Sequence, residues 1–280
     1  MKNKLVKKVM PLLFISFFNL ISCANYSNQF YLNSLVSNDD SVASPSTNNE
    51  KNIHNSIINN LLSMAFKNNQ EKILDYKNSQ NKNSKSLFNQ YNNISKLFFA
   101  SENKKEFAQQ QQDFFTKNWY FILNNLDKFQ FNFVEFVTSD LSKNYSTSEE
   151  YKQKVKIKEL NNKYEPFTFE NTYLESLREG VESAELGDSL VYYIRKNKLV
   201  FRVLINNLRA QGNEPEVLLK PLNWNFSESK ANIISPLLIS NVVHQLFIHN
   251  YPSGKDEFEI EMVEKQKYGS PVFVFPTLKE

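Results

Sequence analysis

The chain has 280 residues, and its 33 lysines and arginines stand against 30 aspartates and glutamates, a formal net charge of +3. Residues 1–22 hold four of the lysines and no acid, so 29 basic and 30 acidic residues remain after them, a net charge of −1. Nucleic-acid binding needs a surplus of basic surface, and the near-neutral remainder argues against nucleic acid as a partner. A single cysteine also excludes a disulfide within the chain.

The first 22 residues have the pattern of an export signal. Four lysines precede a mainly apolar run at 9–21, which is too short to span a bilayer because a span takes about 20 residues. The following Leu20-Ile21-Ser22-Cys23 resembles a bacterial lipobox, and the resemblance implies that diacylglycerol is attached to the Cys23 thiol before cleavage. We predict a lipoprotein signal peptide at 1–22 and lipidation at Cys23, with an uncleaved signal anchor as the alternative.

Residues 23–52 are built mostly from Asn, Ser, Asp and Thr. Such a composition buries too little apolar surface to offset the entropy of ordering the chain, so we predict a disordered tether. A flexible coil of this length has a mean end-to-end distance of roughly 30 Å. That span is enough to hold a folded part clear of a membrane surface.

Helical spacing characterises 53–165. Ile53, Ile57, Leu61 and Ala65 recur at every fourth position, and neither Pro nor Gly occurs between Ser46 and Glu165. This pattern predicts a helical domain organised as a bundle.

The segment 113–137 carries the densest aromatic pattern of the chain. Apolar residues spaced by four and three predict one continuous stripe on a helix, and they are Phe115, Trp119, Ile122, Leu126, Phe129, Phe133 and Phe136. We expect this stripe to be the buried centre of the bundle, with an open groove that stacks sugars or bases as the alternative. The alternation from Phe129 to Phe133 also permits a strand.

Residues 166–280 have the short branched and aromatic runs of a β-rich domain. Residues 190–194 and 199–205 are typical of a hairpin, whereas 172–179 predicts one or two helical turns. Further strands are predicted at 217–219, 242–248, 258–263 and 272–275. Helices followed by strands indicate an α+β protein, with an N-terminal helical bundle and a β-rich C-terminal part.

One segment carries a family resemblance. Asn118-Trp119-Tyr120-Phe121-Ile122-Leu123-Asn124-Asn125-Leu126-Asp127-Lys128-Phe129, behind a lipobox and an Asn-rich tether, resembles surface lipoproteins of wall-less, mycoplasma-type bacteria called aromatic motif membrane proteins. The resemblance implies an exposed protein, anchored to the outer face of the cell membrane, whose activity is unassigned.

Motifs for catalysis or cofactor binding are absent from the sequence. The five glycines never come closer than seven residues, which excludes the usual phosphate-cradling loops. His244 and His249 are five apart in a predicted strand and would point to opposite faces, so we predict no metal site. Glu257, Glu259 and Glu261 share one strand face and are interpreted as a solvated edge. We therefore expect no enzyme activity and no cofactor.

The sequence favours a surface binding, adhesion or structural module, bound to the membrane through lipid on Cys23 and directed at a host surface protein or glycan. An extracellular hydrolase is the alternative, with Glu257 or Asp256 acting beside His249 in a site assembled only by the fold. A solute-binding lipoprotein of a transporter is a third possibility. It is disfavoured because strands and helices do not alternate along the chain.

Overall fold

Helices occupy the first part of the chain and strands the second. A computed structural model describes residues 47–100, 104–136, 165–226, 229–244, 266–268 and 271–279. The described α-helices are α1 (Thr47–Ala65), α2 (Gln70–Lys82), α3 (Ser84–Ala100), α4 (Lys104–Lys117), α5 (Trp119–Leu123) and α6 (Pro236–Val243). The described strands are β1 (Phe129–Phe136), β2 (Phe167–Thr168), β3 (Ser176–Glu179), β4 (Leu190–Lys196), β5 (Leu199–Asn206), β6 (Glu216–Leu219), β7 (Asn223–Asn225) and β8 (Val272–Leu278).

All the described strands join one antiparallel sheet. Its order is β2-β1-β8-β7-β5-β4-β3, and β6 pairs with β5 beyond the end of β7. Among the described strands, the last therefore lies beside the first, with Phe129 opposite Leu278 and Phe133 opposite Val274. This pairing ties the end of the helical part to the C-terminal part of the chain.

The sheet is covered on both faces. Along β5, Leu199, Phe201, Val203 and Ile205 pack into the same hydrophobic core as α1, α3, α4 and α5. The intervening Val200 belongs to a second, smaller core with Ile239 and Val243 of α6. Side chains alternate between faces along a strand, so one strand serves both cores.

Asparagine side chains end the helices of the predicted aromatic stripe. The Asn118 amide donates to the Phe114 carbonyl at 3.0 Å, directly after α4. The Asn125 amide donates to the Phe121 carbonyl at 2.8 Å, whereas the Asn125 backbone N–H bonds the Ile122 carbonyl. At Phe121 the side chain therefore takes the carbonyl that the Asn125 N–H would use in a continuing helix, whereas the Phe114 carbonyl accepts from both the side chain and the backbone N–H of Asn118.

The prediction of one continuous helical stripe over 113–137 is therefore wrong. The pattern is divided among α4, α5, a 3-10 turn at Leu126–Lys128 and β1. The alternative of a strand at Phe129–Phe133 is confirmed, within the segment 53–165 that was predicted to be helical. The order of helices first and strands second confirms an α+β protein. A separate bundle is not confirmed, because the helices share their core with the sheet.

Other predicted elements have mixed outcomes. The hairpin is confirmed as β4 and β5, and its turn holds Asn197 at a φ of 54°. The strands at 217–219 and 272–275 are also confirmed, as parts of β6 and β8. The helical turns at 172–179 are wrong, because Ser176–Glu179 pairs as a strand with β4. That long-range pairing overrides the local pattern.

The strand predicted at 242–248 is wrong where the structure describes it. Val243 is the last residue of α6, which begins with a Ser235 N-cap, whose side chain accepts from the Leu238 N–H, followed by Pro236. This start is a strong helix signal. The strand predicted at 258–263 lies outside the described residues. Helix α1 begins at Thr47, inside the predicted tether, and residues 1–46, which include Cys23, also lie outside the described part.

The centre of the larger core is a group of aromatic rings around Tyr91, which we call the Tyr91 cluster. It consists of Phe88, Tyr91, Phe114, Phe115, Phe121, Phe129 and Phe275. The Tyr91 ring lies 5.5 Å from Phe129 in an edge-to-face arrangement. Its hydroxyl donates to the Pro276 carbonyl. Pro276 lies where β8 extends past β7, so its missing N–H interrupts no pairing there.

The Tyr91 hydroxyl gives a stability prediction. Tyr91→Phe leaves the buried Pro276 carbonyl without its donor, and we expect a loss of about 1–3 kcal/mol in the free energy of unfolding, measured in urea. The matched control is Tyr76→Phe, whose hydroxyl donates to the Lys117 carbonyl at 3.0 Å at a more exposed position. Equal losses for the two variants would contradict the central role assigned to Tyr91.

Candidate functional site

The residues of the predicted aromatic stripe are mostly buried. Phe115 and Phe129 are 0% exposed and Trp119 is 3% exposed, so protein atoms cover all three rings. Phe133 is half-buried on β1. The Phe136 side chain lies outside the described residues. The first three rings are therefore core elements, and an open stacking groove along them is excluded by their burial.

Of the predicted histidine and acid positions, the structure describes His244. His244 follows α6, and its Nε2 lies 2.7 Å from Glu185 Oε1. His249, Asp256 and the glutamates at 257, 259 and 261 lie outside the described residues. Within the described ranges, no group of three or more His, Cys, Asp or Glu side chains could hold a metal ion.

His54, on α1, is a buried polar side chain with hydrogen-bond partners on other elements. The His54 Nδ1 accepts from the Leu174 N–H at 3.3 Å, and Nε2 lies 3.2 Å from Asn124 Oδ1. This pair of contacts fits only the neutral ring with its proton on Nε2. Burial lowers the pKa of His54, and the positive charge of Lys196 adds to the effect. His54 is therefore a structural link between α1, α5 and the strand region.

Lys196, at the end of β4, belongs to the same region. Its ammonium donates to Asn171 Oδ1 at 2.9 Å and to the Tyr173 carbonyl at 2.8 Å, and it lies 4.7 Å from the centre of the Phe169 ring. Burial lowers the pKa of Lys196, while the charge of Glu175 acts in the opposite direction. The three donors of an ammonium are thus engaged by two oxygens and one ring face. Lys196 orients the segment before β3.

Glu182 is the third buried polar group, under α6. Its carboxylate accepts from the Tyr193 hydroxyl at 2.6 Å and from the Ser240 hydroxyl, and Arg202 lies 3.4 Å away. Burial raises the pKa of Tyr193. A Cβ at Gly180 would come within 2.4 Å of this carboxylate, so any larger residue there would displace the Glu182 side chain from its partners. These contacts dock α6 on the sheet.

Two surface grooves lie on the described part. The larger, about 520 Å³, runs between α3 and α4 and includes Ile94, Leu97, Asp113 and Lys117 in its walls. The smaller is about 290 Å³ and lies between β1, β8 and the β4–β5 turn. We call it the Phe167 groove. Its walls are formed by Phe131, Phe133, Glu165, Phe167, Thr168, Phe169, Asn197, Lys198, Asn225, Val272 and Val274.

The Phe167 groove has an aromatic floor. The rings of Phe131 and Phe167 are stacked, with centroids 5.3 Å apart and planes 15° apart. Phe169 meets both rings edge-on, at 5.3 Å and 5.6 Å. Phe131 and Phe169 are buried, whereas Phe167 is half-buried and so presents part of its ring to the groove.

Asn225 is the buried polar residue of this groove. It is 6% exposed, and its main chain pairs with Leu199 and Val272. Among the described residues, none hydrogen-bonds its side-chain amide. On the same face of β7, the Asn223 Oδ1 is fully buried without a partner in the described part, whereas the Asn225 amide is not among such atoms and opens on the groove. Asn225 and Phe167 were missed by the sequence predictions. The alternation in 222–226, with asparagine at two inward positions, was the available signal.

Fold and site define an α+β protein in which a cluster of aromatic side chains joins a helical layer to a sheet. The sequence model of the aromatic cluster surface protein family matches residues 32–269, which is more than half of the chain. The chain therefore belongs to the aromatic cluster surface protein family. The predicted resemblance is confirmed at this level, that of a surface protein with an aromatic cluster. No curated protein and no solved structure matches the chain.

Within the described ranges, no helix combines the length and the apolar character that a membrane span needs. The mycoplasma-type source stays a prediction.

The neutral state of His54 gives a pH prediction. Because the folded protein lowers this pKa from 6.5, the unfolded chain binds a proton first as pH falls. The contribution of neutral His54 to the free energy of unfolding is fully present above about pH 6.5. It is lost as the pH falls toward the pKa that His54 has in the folded protein. We expect the free energy of unfolding to fall more from pH 7.5 to about pH 5.5 in the native sequence than in His54→Gln. Parallel pH profiles would contradict the buried neutral ring.

Proposed function

We propose that the chain is a lipid-anchored surface protein that acts as a binding or adhesion module at the outer face of the cell membrane. The observation that carries this proposal is membership of a surface protein family over residues 32–269. The matched region begins nine residues after Cys23. A lipid on the predicted lipobox cysteine would therefore hold the family region directly at the membrane.

Two acyl chains on Cys23 would supply the anchor. Each buried CH2 group contributes about 0.8 kcal/mol to membrane binding, so two chains hold a protein far more firmly than one. The described helices offer no membrane span, and a lipid anchor is therefore consistent with the described part of the chain.

A binding role is favoured over an enzymatic one by the state of the buried polar groups. His54, Lys196 and Glu182 each have several partners within the protein. None of the three lies in the walls of either described groove. Groups with these contacts stabilise the fold, whereas a catalytic acid or base must reach a substrate.

The Cys23→Ser variant tests anchoring and adhesion in one experiment. Cells that display the native protein are expected to incorporate labelled fatty acid into it and to adhere to host cells. Cys23→Ser should lose the label and leave the membrane fraction, because serine lacks the thiol that the lipid modifies. The purified Cys23→Ser protein should still compete with native cells for host-cell adhesion.

Ser22→Ala is the matched control, because it keeps a small residue before Cys23 and should preserve both label and adhesion. A Cys23→Ser protein that remains in the membrane fraction would contradict the lipid anchor. If the soluble protein neither binds host cells nor competes with adhesion, the binding module is ruled out even when the anchor is correct.

A further inference from the structure

We infer that the Phe167 groove binds a neutral saccharide, with the Asn225 amide as its polar contact and the Phe167 ring as its apolar platform. A saccharide site rests on the proposed function, because it names the ligand class of that binding module. Its basis is the chemistry of the groove: an amide that opens on the groove without a protein partner, beside a floor of aromatic rings.

The unpaired amide is the first observation. The main chain of Asn225 is fixed between β5 and β8, so its side chain is held at the groove rather than on a mobile loop. Asn225 is more than nine-tenths buried, and within the described part its side chain has no hydrogen-bond partner. The amide is not among the described side-chain atoms that are sealed from solvent without a partner, so it opens on the groove, where a ligand can reach it. Binding of a polar ligand would satisfy this group.

The second observation is the apolar surface beside that amide. Val272 and Val274 line the groove together with the stacked rings of Phe131 and Phe167. Ligand sites are typically apolar clefts with a few fixed polar groups, and this groove has that composition. The Phe169 edge and the Lys196 ammonium over its ring hold the aromatic floor in place.

A sugar ring matches both features at once. A primary amide has two donors and one acceptor oxygen, and each sugar hydroxyl both donates and accepts. Two adjacent hydroxyls can therefore satisfy the Asn225 amide, while the C–H face of the ring packs on Phe167. A peptide would have to bring a backbone N–H and C=O to the amide while one of its side chains fills the floor, whereas a sugar presents hydroxyls and an apolar face on a single ring, so a peptide is the less favoured ligand.

The charge of the groove walls and the volume of the groove narrow the class of ligand further. The walls hold one acid, Glu165, and one base, Lys198, so they carry no net charge that would select an anion or a cation. A groove of about 290 Å³ is at the lower end of the range for ligand sites, about 300 to 1,000 Å³. This volume suits the terminal sugar of a glycan better than a long oligosaccharide.

The decisive variant is Asn225→Leu in the soluble mature chain that carries Cys23→Ser. Leucine has nearly the shape of asparagine but no amide, so it removes the polar contact and keeps the volume of the side chain. We expect the soluble chain with asparagine at position 225 to bind to an array of host-type glycans. Saturation-transfer NMR with the methyl glycoside of the terminal sugar then measures this binding in solution. Asn225→Leu should weaken that binding at least tenfold while the urea midpoint of unfolding stays constant or rises.

A second variant and a control separate the site from the fold. Phe167→Leu keeps an apolar side chain but removes the ring face, and it should weaken binding several-fold. Asn93→Leu is the matched control, because Asn93 lines the groove between α3 and α4 and should not affect saccharide binding. A structural role for Asn225 would instead lower the urea midpoint.

Each other outcome overturns a defined part of the account. Glycan binding that survives Asn225→Leu would locate the site elsewhere and overturn the groove while leaving the proposed function intact. Retention of host cells without any glycan binding, unchanged after enzymatic deglycosylation of the cells, would reject the saccharide but not the binding module. Failure to bind both glycans and host cells would reject both.

Discussion

The Tyr91 side chain joins the helical layer of this protein to its sheet. Its hydroxyl donates to the Pro276 carbonyl of β8, and its ring contacts Phe115 of α4 and Phe129 of β1. A tyrosine that is 0% exposed must place its hydroxyl against an acceptor, and a sheet carbonyl is the acceptor here. This need for an acceptor fixes the position of α3, which carries Tyr91, on the sheet. Once α3 is fixed, α4 packs beside it, and the rings of Phe88 and Phe121 fill the space between helices and strands. The aromatic residues of the Tyr91 cluster thus form the core between the two layers.

The buried polar groups divide into two kinds with different meanings. His54, Lys196 and Glu182 are surrounded by partners, and each links elements that are distant in sequence. Such fully satisfied groups specify one arrangement of a fold. Asn225 differs, because it is buried at a groove and has no side-chain partner among the described residues. Stability therefore concentrates in the Tyr91 cluster and the satisfied groups, while recognition is proposed at the Phe167 groove.

Local patterns in the sequence predicted the α+β order and the β4–β5 hairpin, since both depend on residues that are close along the chain. The spacing of the aromatic stripe fitted a helix, but Asn118 and two later asparagines bond helix carbonyls through their side chains, an effect that hydrophobic spacing does not contain. Ser235 starts α6 where branched residues favoured a strand. The Phe167 groove could not be predicted from the sequence, because Phe131, Phe167 and Asn225 come together only through the order of the strands in the sheet. Of its walls, only Phe133 was among the predicted site residues.

The central claim is that one aromatic core makes the helices and the sheet a single cooperative unit. The two tryptophans allow a direct test, because Trp119 lies in α5 and Trp224 lies in β7. In Trp119→Phe, the fluorescence of Trp224 reports the sheet and far-ultraviolet circular dichroism reports mainly the helices. Urea unfolding followed by both signals should give one midpoint and one slope, as expected for a two-state transition. Loss of the helical signal at a lower urea concentration than the fluorescence change would contradict the shared core.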